Sequence, residues 1–428
     1  MINLSRIIKM NQLLKMTSLN AFVIIIRLII SVFVQRLLAI TLGENGIAKI
    51  GQLRNLLEML RSTSSLGVFN GVVKYTSENE KNNSQLTKLF SSALILGIIG
   101  SILSCITLLI TAEEVSIGLF HDVKFSNLIR FLAFIPPAIA LNKIFYGLIN
   151  GFSDYKNFAK IELITYVFSV FLLLLGLLCF SLKGVLFSII LSPLVSLIVV
   201  IFLCHKRFKE HIKINEQSID CSFVKPLLAF TLMSFVSTVI LNFIELDVRT
   251  MIINKINIDE AGYWTAMSFI SKNYMVFSSS IFTLYVIPKF AKIETSSAFK
   301  KEVFNIYKTI LPLFGIGMIC IFLFRNFIIS LIYPNFEGLE KFFKWQLLGD
   351  FVRLTTLVIS HQFLAKKMIW SFLSTEIISL GLFYGLSKYF IGLYGAEGVV
   401  IAHFYRYIIY FFVVIFFVWS YFKNKENP

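Results

Sequence analysis

Three ionisable side chains lie close together in one strongly apolar part of the chain. The stretch IGQLRNLLEMLR, residues 50–61, carries Arg54, Glu58 and Arg61 at spacings of four and three. A helix turns about 100° per residue, so these side chains fall within one sector of roughly 60°. A guanidinium binds phosphate oxygens through its planar fork, and a carboxylate beside it either pairs with it or carries a proton. The stretch therefore has the residue types of an anion site.

The same residue types recur in other apolar segments. Arg27 lies near the middle of the first segment, and Asn70 and Lys74 continue the polar series of the second. Glu245 and Arg249, in the second half of the chain, are four residues apart and share a helix face. The other polar residues of that half are Asp247, Ser268, Lys272 and Asn273. Segments three, five and nine carry almost no charge, so the cost of burying charge is concentrated in segments one, two, seven and eight.

The elements that must hold these residues are membrane-spanning helices. The 428 residues are 57% hydrophobic and 15% charged, whereas soluble domains are about 45–50% apolar and about 25% charged. Apolar stretches near the roughly 20 residues of a helical crossing predict an all-α polytopic membrane protein with twelve spans. The predicted spans are 17–42, 46–72, 88–111, 125–149, 157–181, 184–204, 224–253, 261–288, 302–324, 342–365, 369–391 and 395–422.

The charges of the connecting segments predict an orientation. Lys and Arg gather in alternate segments, among them residues 205–223, and Asp and Glu enrich the others. Because cytoplasmic loops favour Lys and Arg, we expect both termini in the cytoplasm. The net charge of +16 then reflects membrane topology and not nucleic-acid binding. The segment 205–223 predicts a cytoplasmic linker between two six-helix lobes, residues 1–204 and 224–428.

The two halves resemble each other weakly. LLKMTSL at 13–19 and LLAFTLM at 227–233 open corresponding spans, and GENGIAKIGQL at 43–53 corresponds to DEAGYWTAMSF at 259–269. Parallel repeats are typical of transporters, which place the substrate site at the repeat interface. Charges in such spans face a water-filled cavity rather than lipid. We therefore expect a central cationic cavity and an anionic substrate.

A structural role is the alternative for part of this set. Arg54 with Glu58, and Glu245 with Arg249, could form neutral pairs that only join helices. The remaining cations, Arg27, Arg61, Lys74 and Lys272, have no obvious local acid in the sequence.

Three short segments carry a family resemblance. GVFNGVVKY at 67–75, DEAGYW at 259–264 and WQLLGD at 345–350 resemble segments of Wzx-type flippases of the MOP superfamily, nearest to the subgroup of lipid III flippases and O-antigen translocases. The resemblance implies a V-shaped bundle of twelve helices. It also implies translocation of undecaprenyl diphosphate bearing a short oligosaccharide from the cytoplasmic to the periplasmic leaflet. The positions that match are Arg54, Asn70, Gly71, Lys74, Tyr75 and Arg249, with Arg27 and Arg36 where a basic residue is expected.

The resulting site hypothesis has three parts. The residues expected to bind the diphosphate are Arg27, Arg54, Arg61, Lys74 and Arg249. The residues expected to line the cavity and contact sugar are Asn70, Ser268, Lys272 and Asn273. The residues considered for energy coupling are Glu58, Glu245 and Asp247, none of which matches a family feature.

Other classes fit less well. A cation-coupled multidrug exporter, the main alternative, would require acidic groups in the cavity, and a membrane enzyme would require a long outside loop with catalytic groups. The cysteines and histidines match no metal spacing, and no nucleotide-binding motif is present. We expect no cofactor, with the membrane potential or a proton gradient as energy source. The expected location is the bacterial inner membrane, and the expected partners are membrane lipids, a polysaccharide polymerase and a chain-length regulator.

Overall fold

The fold is all-α. A computed structural model of the chain describes residues 4–211 and 220–426, and every regular element within those ranges is helical. The helices of the first half are α1 (Leu4–Thr63), α2 (Phe69–Glu78), α3 (Asn83–Ile110), α4 (Ala112–Phe120), α5 (Ser126–Leu132), α6 (Pro136–Gly151) and α7 (Tyr155–His211). Those of the second half are α8 (Val224–Ser234), α9 (Leu241–Lys255), α10 (Ile258–Ile281), α11 (Ile287–Ala291), α12 (Ser296–Leu323), α13 (Arg325–Ile332), α14 (Glu340–Ala365), α15 (Ile369–Tyr394) and α16 (Glu397–Glu426).

Helix α7 contains two predicted spans, and α1 contains one and most of a second. The helical path of α1 is interrupted at Gly43, which has φ 60°, and that of α7 at Phe180 and Ser181. A Cβ on Gly184 would lie 2.0 Å from the carbonyl oxygen of Gly176, so the two arms of α7 approach each other at backbone distance. Only glycine permits that approach, which is how small residues join membrane helices.

The predicted spans all have helical counterparts in the described ranges. Among the described residues, seven helices are long and apolar enough to cross a membrane, and an eighth is counted if Val123–Leu132 and Pro136–Gly151, which meet at a bend of 46°, form one span. The predicted eighth and tenth spans correspond to α10 and α14. These two helices are less apolar than the seven, and they carry ionisable residues such as Lys272 and Asp350. The prediction of an all-α polytopic membrane protein is confirmed.

The second predicted span is broken rather than continuous. Residues 64–68 form a non-helical turn in which Leu66 and Gly67 have φ 45° and 63°. Thr231 on α8 donates its hydroxyl to the Leu66 carbonyl at 2.5 Å, and a Cβ on Gly67 would lie 2.5 Å from the Cβ of Ser234. A neighbouring helix thus satisfies the exposed backbone, as non-helical backbone within a membrane requires.

The chain packs as two compact units. Unit 1 comprises Met1–Leu37 and Gln52–Asn242, and unit 2 comprises Leu38–Gly51 and Phe243–Pro428. The middle of α1 belongs to unit 2 because it packs closely on α10, where a Cβ on Gly262 would lie 2.4 Å from the carbonyl oxygen of Glu44. Residues 212–219 of the predicted linker lie outside the described residues, so the predicted lobe boundaries stay a prediction.

Candidate functional site

Arg27 on α1 pairs with a carboxylate from a distant helix. Its guanidinium donates to Glu162 on α7, with side-chain exposures of 39% and 26%. Tyr166, one turn further along α7, donates its hydroxyl to the Arg27 carbonyl at 3.2 Å, and its ring lies 5.1 Å from the guanidinium. The sequence offers Arg27 no local acid, and folding supplies one from the fifth predicted span, so Arg27 is paired all the same.

Glu58 and Arg61 form a pair one helical turn apart on α1. The Arg61 guanidinium donates to the Glu58 carboxylate, and both side chains are a little under half exposed, at 42% and 45%. The expectation that Arg61 has no local acid is therefore wrong. Arg54, on the same arm of α1, is half-buried and lies within electrostatic range of Tyr166, as Arg27 does.

Lys143 on α6 is a further cation here that the sequence analysis missed. It is half-buried, its ammonium lies 5.4 Å from the centre of the Phe69 ring, and it interacts electrostatically with Arg61, Glu58 and Glu162. The sequence does contain a sign of this role, because Lys143 lies inside the predicted fourth span and follows an otherwise apolar run. We call Arg27, Arg54, Arg61 and Lys143, with the acids Glu58 and Glu162, the cation cluster of unit 1.

Two predicted residues of unit 1 lie on α2. Lys74 is half-buried, with its ammonium 4.9 Å from the centre of the Tyr75 ring and 5.9 Å from that of Phe230. Asn70 is exposed. The contacts that the structure shows for the Lys74 ammonium are aromatic. Such cation–π contacts hold an ammonium in place while leaving its hydrogen-bond donors open.

Arg249 in unit 2 is buried rather than open. Its side chain is 2% exposed, its Nε donates to Thr265 Oγ1 at 2.9 Å, and its guanidinium lies 4.8 Å from the centre of the Trp264 ring. A Cβ on Gly51 would lie 3.3 Å from the guanidinium carbon. A ligand cannot reach Arg249 in this conformation, and its role in binding a diphosphate stays a prediction.

The other predicted residues of unit 2 surround α9 and α10. Lys272 lies 3.9 Å from Glu245, with side-chain exposures of 61% and 22%. The acid that pairs with Lys272 thus comes from the neighbouring helix α9 and not from its own span. Asp247 interacts with the hydroxyl of Tyr384 on α15. Ser268 and Asn273 are half-buried on α10.

A buried polar network centred on Asp350 was not predicted. Asp350 on α14 has no solvent exposure and accepts hydrogen bonds from Ser271 at 2.5 Å and Gln346 at 3.0 Å. The Tyr274 hydroxyl also donates to it, and His403 Nε2 lies 3.0 Å from its other oxygen. The sequence signal was present, because Gln346 and Asp350 both belong to WQLLGD. No cluster of three His, Cys, Asp or Glu side chains forms in the ranges that the structure covers.

Sequence relatives carry one specific function in their names. The chain is 27% identical over 391 residues to the lipid III flippase of Escherichia coli (strain K12), covering 90% of this chain and 94% of that protein. The lipid III flippase of Shigella flexneri matches to the same extent.

Solved structures share the fold at much lower identity. A multidrug resistance MATE family transporter of the MOP superfamily, in its inward-facing conformation, matches with a TM-score of 0.78 at 13% identity, over 92% of this chain and 94% of that one. The lipid II flippase MurJ, in an inward closed conformation, matches with a TM-score of 0.71 at 17% identity, over 94% of this chain and 87% of that one.

A family model matches most of the chain. The model described as "Polysaccharide biosynthesis protein" matches residues 13–294, which include all of the cation cluster as well as Lys74, Arg249 and Lys272. By this match the chain belongs to the polysaccharide biosynthesis protein family.

Proposed function

We propose that this protein is a flippase that moves an undecaprenyl-diphosphate-linked oligosaccharide from the cytoplasmic to the periplasmic leaflet of the bacterial inner membrane by alternating access. The observation that carries the proposal is the cation cluster of unit 1. Four cations and two carboxylates are half-buried in segments that cross the membrane, where charge is costly and is retained for function.

The chemistry of the cluster fits a diphosphate. Arg27, Arg54 and Arg61 supply planar forks that bind phosphate oxygens bidentately, and Lys143 supplies a compact point charge. The acids of the cluster do not cancel the cations, since four positive charges face two negative ones. The named function of the Escherichia coli relative, a lipid III flippase, supports the same substrate class. The sugars would contact Asn70, Ser268, Lys272 and Asn273.

Drug export is the competing function, favoured by the fold shared with the MATE transporter. An exporter of cationic drugs needs a negative site, whereas the cluster is positive. The relatives named above are flippases rather than enzymes.

Flipping in proteoliposomes tests the proposal. The full chain is reconstituted with a fluorescent polyprenyl-diphosphate disaccharide, and a membrane-impermeant quencher reports the label that has crossed. We expect flipping by the wild type and a loss of about tenfold or more in Arg54→Gln, because a charge-assisted hydrogen bond is worth about 1.5–3 kcal/mol. Arg130→Gln is the matched control, because Arg130 pairs with Glu113 at 2.8 Å on short helices outside the cluster. Export of a cationic dye without lipid flipping would contradict the proposal.

The energy source and the orientation are part of the same proposal. A potential of 100 mV, negative inside, supplies about 2.3 kcal/mol per elementary charge that crosses the membrane. It favours outward movement of an anion, and proton exchange at Glu58 is the competing source. Imposing each gradient separately on the proteoliposomes distinguishes the two. With both termini cytoplasmic, the oligosaccharide would emerge on the periplasmic side, where a polymerase and a chain-length regulator would use it.

A further inference from the structure

The acids of the cation cluster raise a question that the proposed function leaves open. A site meant to grip an anion contains two carboxylates, each already paired with one of its arginines. The two carboxylates lower the positive charge that the four cations of the cluster present to a ligand.

Arg27 has contacts besides Glu162 that would keep it in place if the carboxylate moved away. Arg27 is held independently by the Tyr166 ring at 5.1 Å and by the bond from the Tyr166 hydroxyl to its own carbonyl. Glu162 is 26% exposed, lies on α7 among neighbours that include Tyr146, and interacts electrostatically with Lys143 as well. Both side chains are partly exposed, so an incoming anion can reach the Arg27 guanidinium and take the place of Glu162.

We propose that Glu162 is an exchangeable counter-ion, which neutralises Arg27 in the empty protein and is displaced from it by the diphosphate of the incoming lipid. This inference rests on the proposed function, because it assigns a role within the same site. The exchange keeps Arg27 from facing an apolar surrounding without an anion at any stage. It also favours release, because the freed carboxylate competes with the diphosphate for the guanidinium.

Binding of geranylgeranyl diphosphate to the purified full chain tests this role. Geranylgeraniol, which has the same tail and no charge, measures binding by the tail alone. Glu162→Gln should bind the diphosphate about three- to tenfold more tightly than the wild type. The substitution removes a carboxylate that competes with the diphosphate for the partly exposed Arg27 guanidinium. Glu113→Gln, which breaks an exposed Arg–Glu pair outside the cluster, should bind as the wild type does.

A double-variant cycle separates exchange from a general change in charge. In an Arg27→Gln background, Glu162→Gln should no longer tighten binding, because the competition takes place at Arg27. Equal or weaker binding by Glu162→Gln, or tightening that persists without Arg27, would overturn the inference. If even the wild type binds the diphosphate no better than the alcohol, the proposed function fails instead.

A second measurement needs no substitution. A hydrophobic carbodiimide labels protonated carboxyl groups in membrane proteins, and mass spectrometry locates the label. Adding geranylgeranyl diphosphate should increase labelling at Glu162 in the wild type, because displacement from Arg27 frees the carboxyl group for the reagent. Unchanged or reduced labelling at Glu162, with the ligand bound, would count against displacement.

Discussion

Unit 1 and unit 2 use the same kinds of charged residue in different surroundings. In unit 1, the arginine–carboxylate pairs Arg27–Glu162 and Arg61–Glu58 are half-exposed, with exposures between 26% and 45%. In unit 2, Asp350 has no exposure and Arg249 is 2% exposed, each held by several fixed partners. Exposed pairs can exchange partners at small cost, whereas buried groups lose bonds that nothing replaces.

The difference separates residues that bind from residues that hold the fold. A ligand can compete for a guanidinium that pairs with a partly exposed carboxylate, as those of Arg27 and Arg61 do. It cannot compete for one that lies against Thr265, Trp264 and the Gly51 backbone. A cation in a membrane span is therefore a functional candidate only when its surroundings leave it accessible, and four substitutions test the comparison between the two units.

The largest effect on stability is expected at Asp350. In Asp350→Ala, the donors Ser271, Tyr274 and Gln346 lose a common acceptor, and Arg353, whose Nη1 lies 4.0 Å from that carboxylate, loses its counter-charge. Breaking a buried charged network costs about 3–5 kcal/mol, so we expect a large fall in Tm for purified protein in detergent. Asp350→Asn keeps one acceptor oxygen, so its Tm should fall less. A normal Tm with failed flipping would make Asp350 a functional group and break the comparison.

A smaller loss of stability is expected when Arg249 is replaced. Arg249→Met keeps the length of the side chain but removes the bond to Thr265, at a cost of about 1–3 kcal/mol. The Tm should fall while the folded protein still binds geranylgeranyl diphosphate with wild-type affinity. Gln at the same position, which can still donate a hydrogen bond, is the control. Loss of binding at unchanged Tm would instead place Arg249 in the binding site, as the sequence suggested.

Arg61 should show the reverse pattern. Arg61→Gln removes a half-exposed pair worth about 1 kcal/mol or less, so Tm should barely change. Diphosphate affinity should weaken about tenfold, since a charge-assisted hydrogen bond to phosphate is lost. Arg130→Gln is again the matched control. A large fall in Tm with unaltered affinity would show that the unit 1 pair only joins helix turns.

The smallest effect is expected at an exposed site of unit 2. Hydrogen bonds from Lys425 and Lys366 lower the pKa of Glu294 from 4.5 to about 2. A carboxyl with a lowered pKa adds stability above its unfolded pKa, and that stability disappears as the pH falls through the folded pKa. Glu294→Gln should therefore lower Tm slightly and equally at pH 6 and 8, with the difference shrinking from about pH 4.5 towards pH 2. A large effect at Glu294 would show that position in unit 2, and not exposure, sets the strength of its ion pairs.

The fold was largely predictable because membrane spans are long apolar runs. The positions of the spans followed from hydropathy, and even the polar α10 and α14 were recognised by their length. The break at residues 64–68 was not predicted, since its stability comes from Thr231 and Ser234, more than 160 residues away. The network around Asp350 was missed for the same reason, because α10 and α16 supply most of its donors.

The sequence by itself determined that the chain spans a membrane with helices and carries cations where lipid would exclude them, because both properties depend on residue type and on separation along one helix. Glu58 could meet Arg61 for that reason, at a spacing of three. Only the tertiary structure decided that Glu162 faces Arg27, that Lys143 joins them and that Arg249 is enclosed. Partnership and burial depend on which helices pack together, through contacts between separate helices such as Arg27–Glu162, which are 135 positions apart.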